Sequence, residues 1–390
     1  MPNAEILKSR LHEKANALGF ELFGVAPAEP LEEDLVRLRG WIAAGHAAGM
    51  GYLRRTAEER VAPRLLLAGA RSVVVVGMSY AQEPPPLDTS PQQPEGRVAR
   101  FALARDYHAV LEPRLEELAL FLDQAVDGGA GSRRFVDTGP LLERAFAARA
   151  GLGFIGKNNC LIHPRHGSWF VLGCVVTAVA LPADSPLERQ CGDCRRCLDV
   201  CPGGALVDAY QLDSRRCLSY QTVETRGLPP PEAMVRQGDR LFGCDACQEA
   251  CPFNGSPLPC REPELKPPRH TESAPAWTAP RRKTENPICR APGTMGGWSI
   301  TLEKVLRIRS NRHFERFFGG SGLLRPGRRG LVRNACAVAG NLKRKDLRPL
   351  LEKLAGDERE SAVLRRSAAW ALERMGRVER PVFSAKGRVP

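Results

Sequence analysis

The spacing of the cysteines constrains this 390-residue chain more than any other feature of its sequence. Thirteen cysteines are present, and two short motifs each end in Cys-Pro. The first motif, C-x2-C-x2-C-x3-C, covers 191–201, and the second, C-x2-C-x3-C, covers 244–251. Three thiolates on one short loop are typical ligands of a cubane iron–sulfur cluster, whose fourth ligand comes from a distant motif. The sequence therefore predicts two [4Fe–4S] clusters. Zinc is the alternative, but zinc sites prefer two separated C-x2-C pairs.

The ferredoxin pattern also predicts which cysteines bind which cluster, because the fourth cysteine of each motif points to the other cluster. Cluster one is assigned Cys191, Cys194, Cys197 and Cys251. The second motif has Leu241 where a ferredoxin has its first cysteine, so the missing ligand must come from elsewhere, and Cys217 is the best candidate. Cluster two is assigned Cys201, Cys217, Cys244 and Cys247. Plain thiols are expected at Cys160, Cys260, Cys289 and Cys336, and a strand residue at Cys174.

The basic charge is confined to the end of the chain. The formal net charge is +13, and residues 301–390 hold 22 basic and 9 acidic residues, which accounts for all of it. A chain that is neutral up to residue 300 and basic beyond it suggests a C-terminal surface that binds a polyanion. The alternative is a solvated basic face that has no partner. The 43% of hydrophobic residues exclude a disordered chain. No apolar run is long enough to span a membrane, and the first 20 residues lack a signal peptide, so a cytoplasmic protein is expected.

Periodicity divides the chain into four segments. Residues 1–180 predict an α/β (α+β) domain, with helices at 6–18 and 106–126 and buried strands at 72–77 and 169–180. Residues 181–255 form the ferredoxin-like segment, and 256–300 an irregular, Pro-rich connector. Residues 301–390 predict an all-α module with helices at 331–342 and 361–375. Its last helix has the pattern of a HEAT-type repeat.

Several motifs, in their order and spacing, give the chain a resemblance to a known family. They are Arg105-Asp-Tyr-His108, Val136-Asp-Thr-Gly-Pro140, Gly151-Leu-Gly-Phe-Ile-Gly-Lys-Asn158, Cys217-Leu-Ser-Tyr220, Arg328-Arg-Gly-Leu-Val-Arg-Asn334 and the split cysteine pattern. The sequence resembles the epoxyqueuosine reductases, which modify tRNA with cobalamin and iron–sulfur clusters, and the resemblance covers nearly the whole chain. It implies reduction of epoxyqueuosine to queuosine at the wobble position of tRNA, the last step of queuosine biosynthesis. The two clusters would deliver electrons to a cobalamin bound between the N-terminal and ferredoxin-like domains.

The resemblance aligns the family's proton donor with Asp137. An epoxide oxygen is a poor leaving group near neutral pH, so a positioned acid should accelerate its departure by roughly 10²–10⁴-fold. To serve as that acid, Asp137 must hold its proton, which burial or a neighbouring negative charge favours. From the residues alone, Asp137 would instead be read as the cap of the helix that follows Pro140.

The resemblance also implies contacts with cofactor and substrate. For cobalamin, the matching positions are Arg60, Arg100, Asp137, Lys157, Asn158 and Ser219. Cys174 and Phe101 depart from the family pattern, where Glu and Tyr are common, and both departures concern the cobalamin pocket. His108 is expected to be structural rather than a cobalt ligand. For tRNA, the candidate contacts are Arg226, Arg328, Arg329 and Arg333. The family further implies a monomer and an external electron donor.

Two other functions compete with this prediction. A reductive dehalogenase would use the same cofactors, but those proteins carry a twin-arginine export signal, which is absent here, and have no need of a basic helical end. A two-cluster electron-transfer protein without cobalamin needs only about 60–80 residues, so it leaves the remaining three hundred or so unexplained.

Overall fold

The computed structural model describes residues 3–82, 95–126, 129, 131–267 and 299–376. Its N-terminal part contains seven helices among these residues: α1 (Ala4–Ala17), α2 (Glu32–Ala43), α3 (Gly51–Arg55), α4 (Ala57–Val61), α5 (Pro63–Leu66), α6 (Tyr107–Gln124) and α7 (Glu143–Arg149). The strands of the same part are β1 (Leu22–Pro27), β2 (Ser72–Ser79), β3 (Gly96–Val98), β4 (Arg133–Phe135), β5 (Phe154–Ile155), β6 (Leu161–Ile162) and β7 (Phe170–Thr177).

A four-stranded sheet with the order β1-β2-β7-β4 forms the centre of this part, and each neighbouring pair is antiparallel. Every residue of β2 is buried, because both faces of the sheet are covered by helices. Val74 and Val76 pack with residues of α1 and α6, whereas Val73 and Val75 pack with residues of α4 and α7. The alternation of side chains along a strand explains this division. The predicted buried strand at 72–77 is therefore confirmed, and the antiparallel order makes the domain α+β.

The ferredoxin-like segment is built of short elements joined by loops. Its helices are α8 (Arg196–Asp199), α9 (Leu218–Val223), α10 (Pro231–Gln237) and α11 (Ala246–Glu249), and its strands are β8 (Leu206–Asp208), β9 (Gln211–Leu212) and β10 (Arg240–Phe242). Helix α8 carries Cys197 of the first motif, helix α11 carries Cys247 of the second, and the two helices pack against each other. The two cysteine motifs therefore lie side by side.

The C-terminal part begins with strand β11 (Ser299–Ile300) and continues as helices α12 (Leu302–Leu306), α13 (Asn311–Phe318), α14 (Gly327–Asn341), α15 (Arg348–Gly356) and α16 (Ala362–Gly376). Both predicted helices of this part are present. Small side chains let α14 and α16 approach closely, so that a Cβ atom at Gly340 would lie 2.9 Å from the backbone of Ala371. Residues 377–390 lie outside the described residues, and so does 268–298, most of the predicted connector.

A second sheet joins the three parts of the chain. Strand β3 of the N-terminal part pairs with β10 of the ferredoxin-like segment on one side and with β11 on the other. The apolar core beneath it likewise combines the three parts, with Leu103, Phe242 and Leu331 among its members. The segments seen in the sequence thus share one core. No helix among the described residues is both long and apolar enough to cross a membrane.

Candidate functional site

The four cysteines predicted for cluster one surround a single cavity. Cys191, Cys194, Cys197 and Cys251 line it together with Pro252 and Phe253. Cys251 reaches the cavity because it follows α11, which packs beside α8. Its sulfur accepts the backbone N–H of Phe253. The structure thus places Cys251 of the second motif beside the three cysteines of the first motif with which it was predicted to share a cluster.

The four cysteines predicted for cluster two also lie close together. Burial raises the pKa of Cys217, and the neighbouring thiols of Cys244 and Cys201 raise it further. Cys247 is close to Cys244 and Cys217 in turn. Two backbone N–H groups at the start of α9, those of Ser219 and Tyr220, point at the sulfur of Cys217. The isolated Cys217 therefore lies next to the other three cysteines predicted for cluster two.

The cluster one cavity has the donor set of a [4Fe–4S] cluster, which is four cysteine sulfurs around one space, and the four cysteines predicted for cluster two are neighbours of one another. N–H groups directed at the sulfurs are the hydrogen bonds that such clusters use, and the backbone N–H of Ala205 donates one to Cys201 over 3.2 Å. In the described ranges, no three side chains of His, Cys, Asp or Glu converge on a point that could hold a single ion.

A ninth cysteine lies at cluster two, and the sequence analysis missed it. Cys160 was predicted to be a plain thiol; its sulfur lies 3.9 Å from the carbonyl oxygen of Asn158, and Cys247 is its neighbour. The side chain of Asn158 holds the two residues together, since it accepts the N–H of Cys160 over 3.2 Å and donates to the carbonyl of Cys247 over 3.3 Å. Cys160 belongs to neither motif, so its spacing carried no signal.

Asp137 lies in a strained turn just after β4. Its φ angle is 49°, in the left-handed region that residues other than glycine seldom adopt. The backbone N–H of Asp137 donates to Oε1 of Glu143 over 2.7 Å. Gly139 is required in the same turn, because a Cβ atom there would lie 2.5 Å from the ring of Phe135. Asp137 does not cap the following helix, since α7 begins after Leu142.

The carboxylate of Asp137 has a hydroxyl donor on one side and solvent on the other. The hydroxyl of Tyr107 donates to its Oδ2 over 2.7 Å, and Nε2 of His108 lies 3.9 Å from the same oxygen. The side chain of Asp137 is nevertheless 65% exposed. Burial and the neighbouring Asp137 raise the pKa of Tyr107, so Tyr107 is a neutral donor at pH 7.

His108 stands behind this pair and is held by Asp106. Its Nδ1 lies 2.7 Å from Oδ1 of Asp106, and its ring stacks on that of Tyr107. Burial lowers the pKa of His108, but the hydrogen bond with Asp106 outweighs it, so the net shift is upward. His108 was expected to be structural, and the structure places it within reach of Asp137. Its buried Nε2 has no hydrogen-bond partner among the described residues.

Glu143 is a second carboxyl group at the site, and the sequence analysis did not single it out. Burial raises its pKa to about 8, with a smaller contribution from Asp137, while the Asp137 N–H lowers it. Glu143 is therefore largely protonated at neutral pH. Cys174, one of the departures from the family pattern, is buried in β7 near Glu143. Phe101, the other, has its ring centroid 6.3 Å from that of Tyr107.

The rim of the Asp137 site is formed by residues from all three parts of the chain, namely Tyr52, Arg60, Glu224 and Arg325. The guanidinium of Arg60 lies 5.6 Å from the ring centroid of Tyr52 and donates to Oγ1 of Thr56 over 2.9 Å. Arg325 makes two hydrogen bonds with Glu224, of 2.9 and 3.2 Å. Burial and the charge of Glu224 raise the pKa of Tyr52, whereas the charges of Arg325 and Arg60 lower it. All four side chains therefore lie close together.

The residues predicted to bind cobalamin do not all lie at this rim. Arg60 lies beside Asp137, and Ser219 stands next to Cys217 at the start of α9. Lys157 and Asn158 instead line the cluster one cavity, where Lys157 donates to the carbonyl of Gly192 over 2.6 Å. The guanidinium of Arg100 lies 4.4 Å from the ring centroid of Trp169.

Two of the four arginines predicted to bind tRNA are engaged inside the protein. Arg333 is 1% exposed, and its guanidinium donates to the carbonyls of Thr225, Gly227 and Gln221 at 2.6 to 2.8 Å. The prediction that it binds phosphate is wrong, because no phosphate can reach it. Arg328 is held by both carboxylate oxygens of Glu360.

The other two arginines, Arg226 and Arg329, are exposed. Helical periodicity placed Arg328, Arg329 and Arg333 near a helix end, but it did not show that α14 is buried on every side from Gly330 to Gly340.

Comparisons with known proteins agree with both parts of this site. Residues 190–254 match the family model "4Fe-4S double cluster binding domain", and residues 60–138 match "Epoxyqueuosine reductase QueG, DUF1730". The epoxyqueuosine reductase of Gloeobacter violaceus is 41% identical to this chain over 343 residues, which are 87% of this chain and 96% of that protein.

Solved structures agree as well. The crystal structure of an epoxyqueuosine reductase with an epoxyqueuosine-modified tRNA-Tyr stem loop is 32% identical, with a TM-score of 0.81 over 96% of this chain and 92% of that one. The epoxyqueuosine reductase of Bacillus subtilis, solved with the catalytic loop of an aspartate swung out of its active site, is 31% identical and has the same TM-score and coverage.

Proposed function

This chain belongs to the epoxyqueuosine reductase family and is an oxidoreductase that reduces epoxyqueuosine to queuosine in tRNA; we propose that the reaction takes place at the Asp137 site. The observation that carries this proposal is the carboxylate of Asp137, which is held by Tyr107 on one side and open on the other. An acid in that position can give its proton to a substrate that enters from the open side.

Asp137 acts as the proton donor to the epoxide oxygen. The departing oxygen would otherwise leave as an alkoxide, and a positioned acid lowers that barrier. Tyr107 orients the carboxyl group through its Oδ2, so that Oδ1 is the oxygen left to face the substrate. The strained turn at Asp137 is typical of a residue whose position serves chemistry rather than stability.

Cobalamin would supply a strongly reducing cobalt centre that activates the epoxide carbon. Arg60 is the member of the predicted contact set that fits a group bound next to Asp137, since Asp137 and Tyr52 are its titratable neighbours, and Ser219 lies in α9, the helix that leads to Glu224 at the rim. The unpartnered Nε2 of His108 also fits a polar group at this place. Arg100, Lys157 and Asn158 remain predicted contacts with cobalamin. Lys157 and Asn158 lie at the cluster one cavity, and Arg100 lies next to Asp245 of the second cysteine motif.

Clusters held by these eight cysteines would carry electrons from an external donor, and the surroundings of the cysteines indicate that cluster one would face the donor and cluster two the place of reduction. The loop of cluster one is exposed at Gly192 and Asp193, whereas the second motif is flanked by the buried residues Phe242 and Ala246. Cys217 of cluster two starts α9, and Glu224, which follows α9, reaches the rim of the Asp137 site. Cluster two is therefore the nearer of the two to the place of reduction.

The tRNA approaches across the rim. Arg226 and Arg329 are exposed cations that can bind phosphates, and Arg226 donates to the carbonyl of Arg325 over 2.8 Å, which places it beside the rim. Recognition of an RNA loop commonly uses aromatic side chains on which bases stack, and Tyr52 is an exposed aromatic side chain at the opening. We further propose a monomer with a HEAT-like C-terminal module that acts in the cytoplasm, where tRNA is modified.

The test is conversion of epoxyqueuosine-containing tRNA by protein purified without oxygen, with reconstituted clusters, added cobalamin and a chemical reductant. Asp137→Asn keeps the shape of the side chain but removes the acid, and a loss of at least about 10²-fold is expected. Asp34→Asn, on the exposed face of α2, serves as the matched control. Full activity of Asp137→Asn at equal iron and cobalamin content would remove Asp137 from the reaction. Inactive wild type that holds both cofactors would show that the substrate is wrong.

A further inference from the structure

Asp137 has one proton to give, but the reaction needs two. Reduction of an epoxide to a carbon–carbon double bond takes up two electrons and two protons, breaks both carbon–oxygen bonds and releases the oxygen as water. The external donor of the proposed function supplies the electrons. A single carboxyl group delivers both protons only if it is reprotonated between them. Solvent reaches Asp137 from the open side, which the substrate fills during the reaction. The second proton therefore has to come from the protein side.

We propose that His108 supplies this second proton by passing it from Nε2 to the carboxylate of Asp137. The proposal rests on the proposed function, because it takes Asp137 as the acid of that reaction. His108 acts on the substrate through Asp137 and is therefore a positioning residue. After the transfer, His108 is a neutral imidazole and Asp137 is again a carboxylic acid. His108 regains its proton from solvent once the product has left.

The ring of His108 is held in place by its neighbours. Its Nδ1 lies 2.7 Å from Oδ1 of Asp106, and its ring stacks on that of Tyr107 with 4.3 Å between the centroids. Asp106 is itself tied to the C-terminal part, since its backbone N–H donates to the carbonyl of Gly320 over 2.7 Å. The other ring nitrogen, Nε2, lies 3.9 Å from Oδ2 of Asp137.

The contacts of Asp106 decide which nitrogen carries the mobile proton. Oδ1 of Asp106 also accepts the backbone N–H of His108 over 3.0 Å, as the N-cap of α6, so this oxygen is an acceptor. Nδ1 is then the donor, and the second proton of the ring is carried by Nε2. Nε2 is buried and has no hydrogen-bond partner in the part of the chain that the structure describes. A proton on Nε2 faces the carboxylate of Asp137.

The charges around His108 favour the protonated ring. Burial is the largest single influence and lowers the pKa of His108, but Asp106, Asp137 and Glu112 together raise it above its ordinary value. Glu143 of α7 also lies within range of the ring. The first turn of a helix disfavours a positive charge, and the carboxylate of Asp106 at the N-cap opposes that effect.

The path from His108 to Asp137 is short. Nε2 and Oδ2 are too far apart for a hydrogen bond, but a movement of about 1 Å brings them to a normal distance. Catalytic hydrogen bonds are often long without substrate and shorten in its presence. The hydroxyl of Tyr107 donates to the same Oδ2 and holds it on the His108 side. A half-turn about the Cβ–Cγ bond of Asp137 then presents the newly protonated oxygen to the substrate.

The experiment is single-turnover conversion of epoxyqueuosine-containing tRNA between about pH 6 and 9, by protein with both clusters and cobalamin. His108→Gln removes the titrating ring but keeps an amide of similar reach. At about pH 6, where His108 is protonated, this variant should be at least about tenfold slower than wild type. At about pH 9, where the imidazole is neutral, the two rates should converge. His12→Gln, at an exposed histidine of α1 that stacks on Phe23, is the matched control.

Asp106→Asn tests the same proposal without removing the ring. Asparagine caps a helix about as well as aspartate does, but it has no charge beside Nδ1, so the pKa of His108 should fall. The decline of the rate with rising pH should then begin about one pH unit lower than in wild type. This variant decides the question if the melting temperature of His108→Gln shows that its fold is lost.

Three outcomes contradict the proposal. A ratio of wild-type to His108→Gln rates that stays constant over the whole pH range would show that His108 only supports the site. Equal rates at every pH would show that solvent supplies the second proton. An unshifted decline in Asp106→Asn would show that another group titrates. The acid role of Asp137 is decided separately, by Asp137→Asn, so the two proposals can fail independently.

Discussion

The backbone N–H of Asp137 is bound by the side chain of Glu143 at 2.7 Å, so the proposed acid is held in place by a second carboxyl group. Because the φ angle of Asp137 is 49°, the turn has to be held against its own strain. In the related protein from Bacillus subtilis, the catalytic loop of an aspartate has been observed swung out of the active site. In this chain, the hydrogen bond from Asp137 to Glu143 ties the Asp137 turn to the start of α7.

Glu143→Ala should therefore release the turn, whereas Glu143→Gln should hold it, since the amide oxygen of Gln can accept the same N–H. We expect Glu143→Ala to convert bound tRNA about 10²-fold more slowly, the loss that a displaced catalytic group typically causes. Glu143→Gln should stay within a few-fold of wild type. Single-turnover conversion measures this, with tRNA affinity as the control. Equal rates for the two variants would show that the hydrogen bond does not position Asp137.

The raised pKa of Glu143 predicts how stability depends on pH. A carboxyl group with a pKa of about 8 in the folded protein and 4.5 in the unfolded chain binds more protons when folded throughout that interval. The free energy of unfolding should therefore fall as the pH rises from about 5 to 8, by up to a few kcal/mol from this group.

Glu143→Gln cannot ionise and should remove this part of the pH dependence. Melting temperatures at pH 5, 6.5 and 8, measured without oxygen, provide the comparison. The same pH dependence in both proteins would mean that Glu143 is ionised in the folded state.

Tyr107→Phe should slow the reaction without unfolding the protein. The variant keeps the ring that stacks on His108, but it loses the hydrogen bond to Oδ2 of Asp137. Asp137 is protonated when it acts as the acid, and hydrogen bonds between neutral groups contribute about 0.5–1.5 kcal/mol, so a fall of about 2- to 13-fold in the single-turnover rate is expected. Phe101→Leu, which alters the packing of the Tyr107 ring but not its hydroxyl, is the matched control. A smaller effect of Tyr107→Phe than of Phe101→Leu would contradict the orienting role.

The arginines of the C-terminal part should separate into two groups. Replacement of Arg226 and Arg329 by Glu should weaken tRNA binding and reduce its dependence on salt, because both are exposed. Replacement of Arg333 by Met should instead destabilise the fold by about 3–5 kcal/mol, since it leaves several buried carbonyls without a donor. Filter binding at several salt concentrations and thermal unfolding distinguish the two effects. Normal stability of Arg333→Met would contradict its position in the core.

Iron content tests the crossover between the cysteine motifs. Cys251→Ala removes one ligand of cluster one, and Cys217→Ala removes one ligand of cluster two. Each variant should lose about four of about eight iron atoms, as expected for two [4Fe–4S] clusters. Cys260→Ala should lose none, because Cys260 is a buried thiol that packs in the N-terminal core. Full iron content in Cys217→Ala would show that the eighth ligand lies elsewhere.

The sequence predicted the features that depend on residues close to one another in the chain, namely the cysteine motifs and the regular elements. The grouping of Cys191, Cys194 and Cys197 around one cavity could be predicted because the distances between thiolates on one loop are set by the chain itself. The helix at 107–124 and the strand at 72–79 were equally visible, since their apolar residues repeat with the period of the element. Asp137 was found through the resemblance rather than through its own pattern.

The sequence did not predict the environments of Arg333, Cys160 and Glu143, because these depend on how the elements of the chain pack together. Arg333 carries the charge of a surface residue, and only the position of α14 in the shared core shows that its guanidinium binds carbonyls. Cys160 and Glu143 have no motif of their own. Cys160 is linked to Cys247 through Asn158, whose side chain reaches 89 residues along the chain, and Glu143 acquires its environment from Asp137, six residues earlier. Contacts of that range leave no periodic trace.

The sheet that joins the three parts of the chain sets the order in which a nascent molecule is completed. Strand β3 ends at Val98, but its partner β11 begins at Ser299, about 200 residues later. At the usual rate of roughly 5–20 residues per second, a ribosome needs about 10–40 s to synthesise that interval. During this time one edge of β3 has no partner, and all eight cluster cysteines emerge before the edge is covered. The last cysteine predicted to bind a cluster, Cys251, precedes Ser299 by 48 residues, so the C-terminal helices that complete the core are synthesised only after all eight of these cysteines.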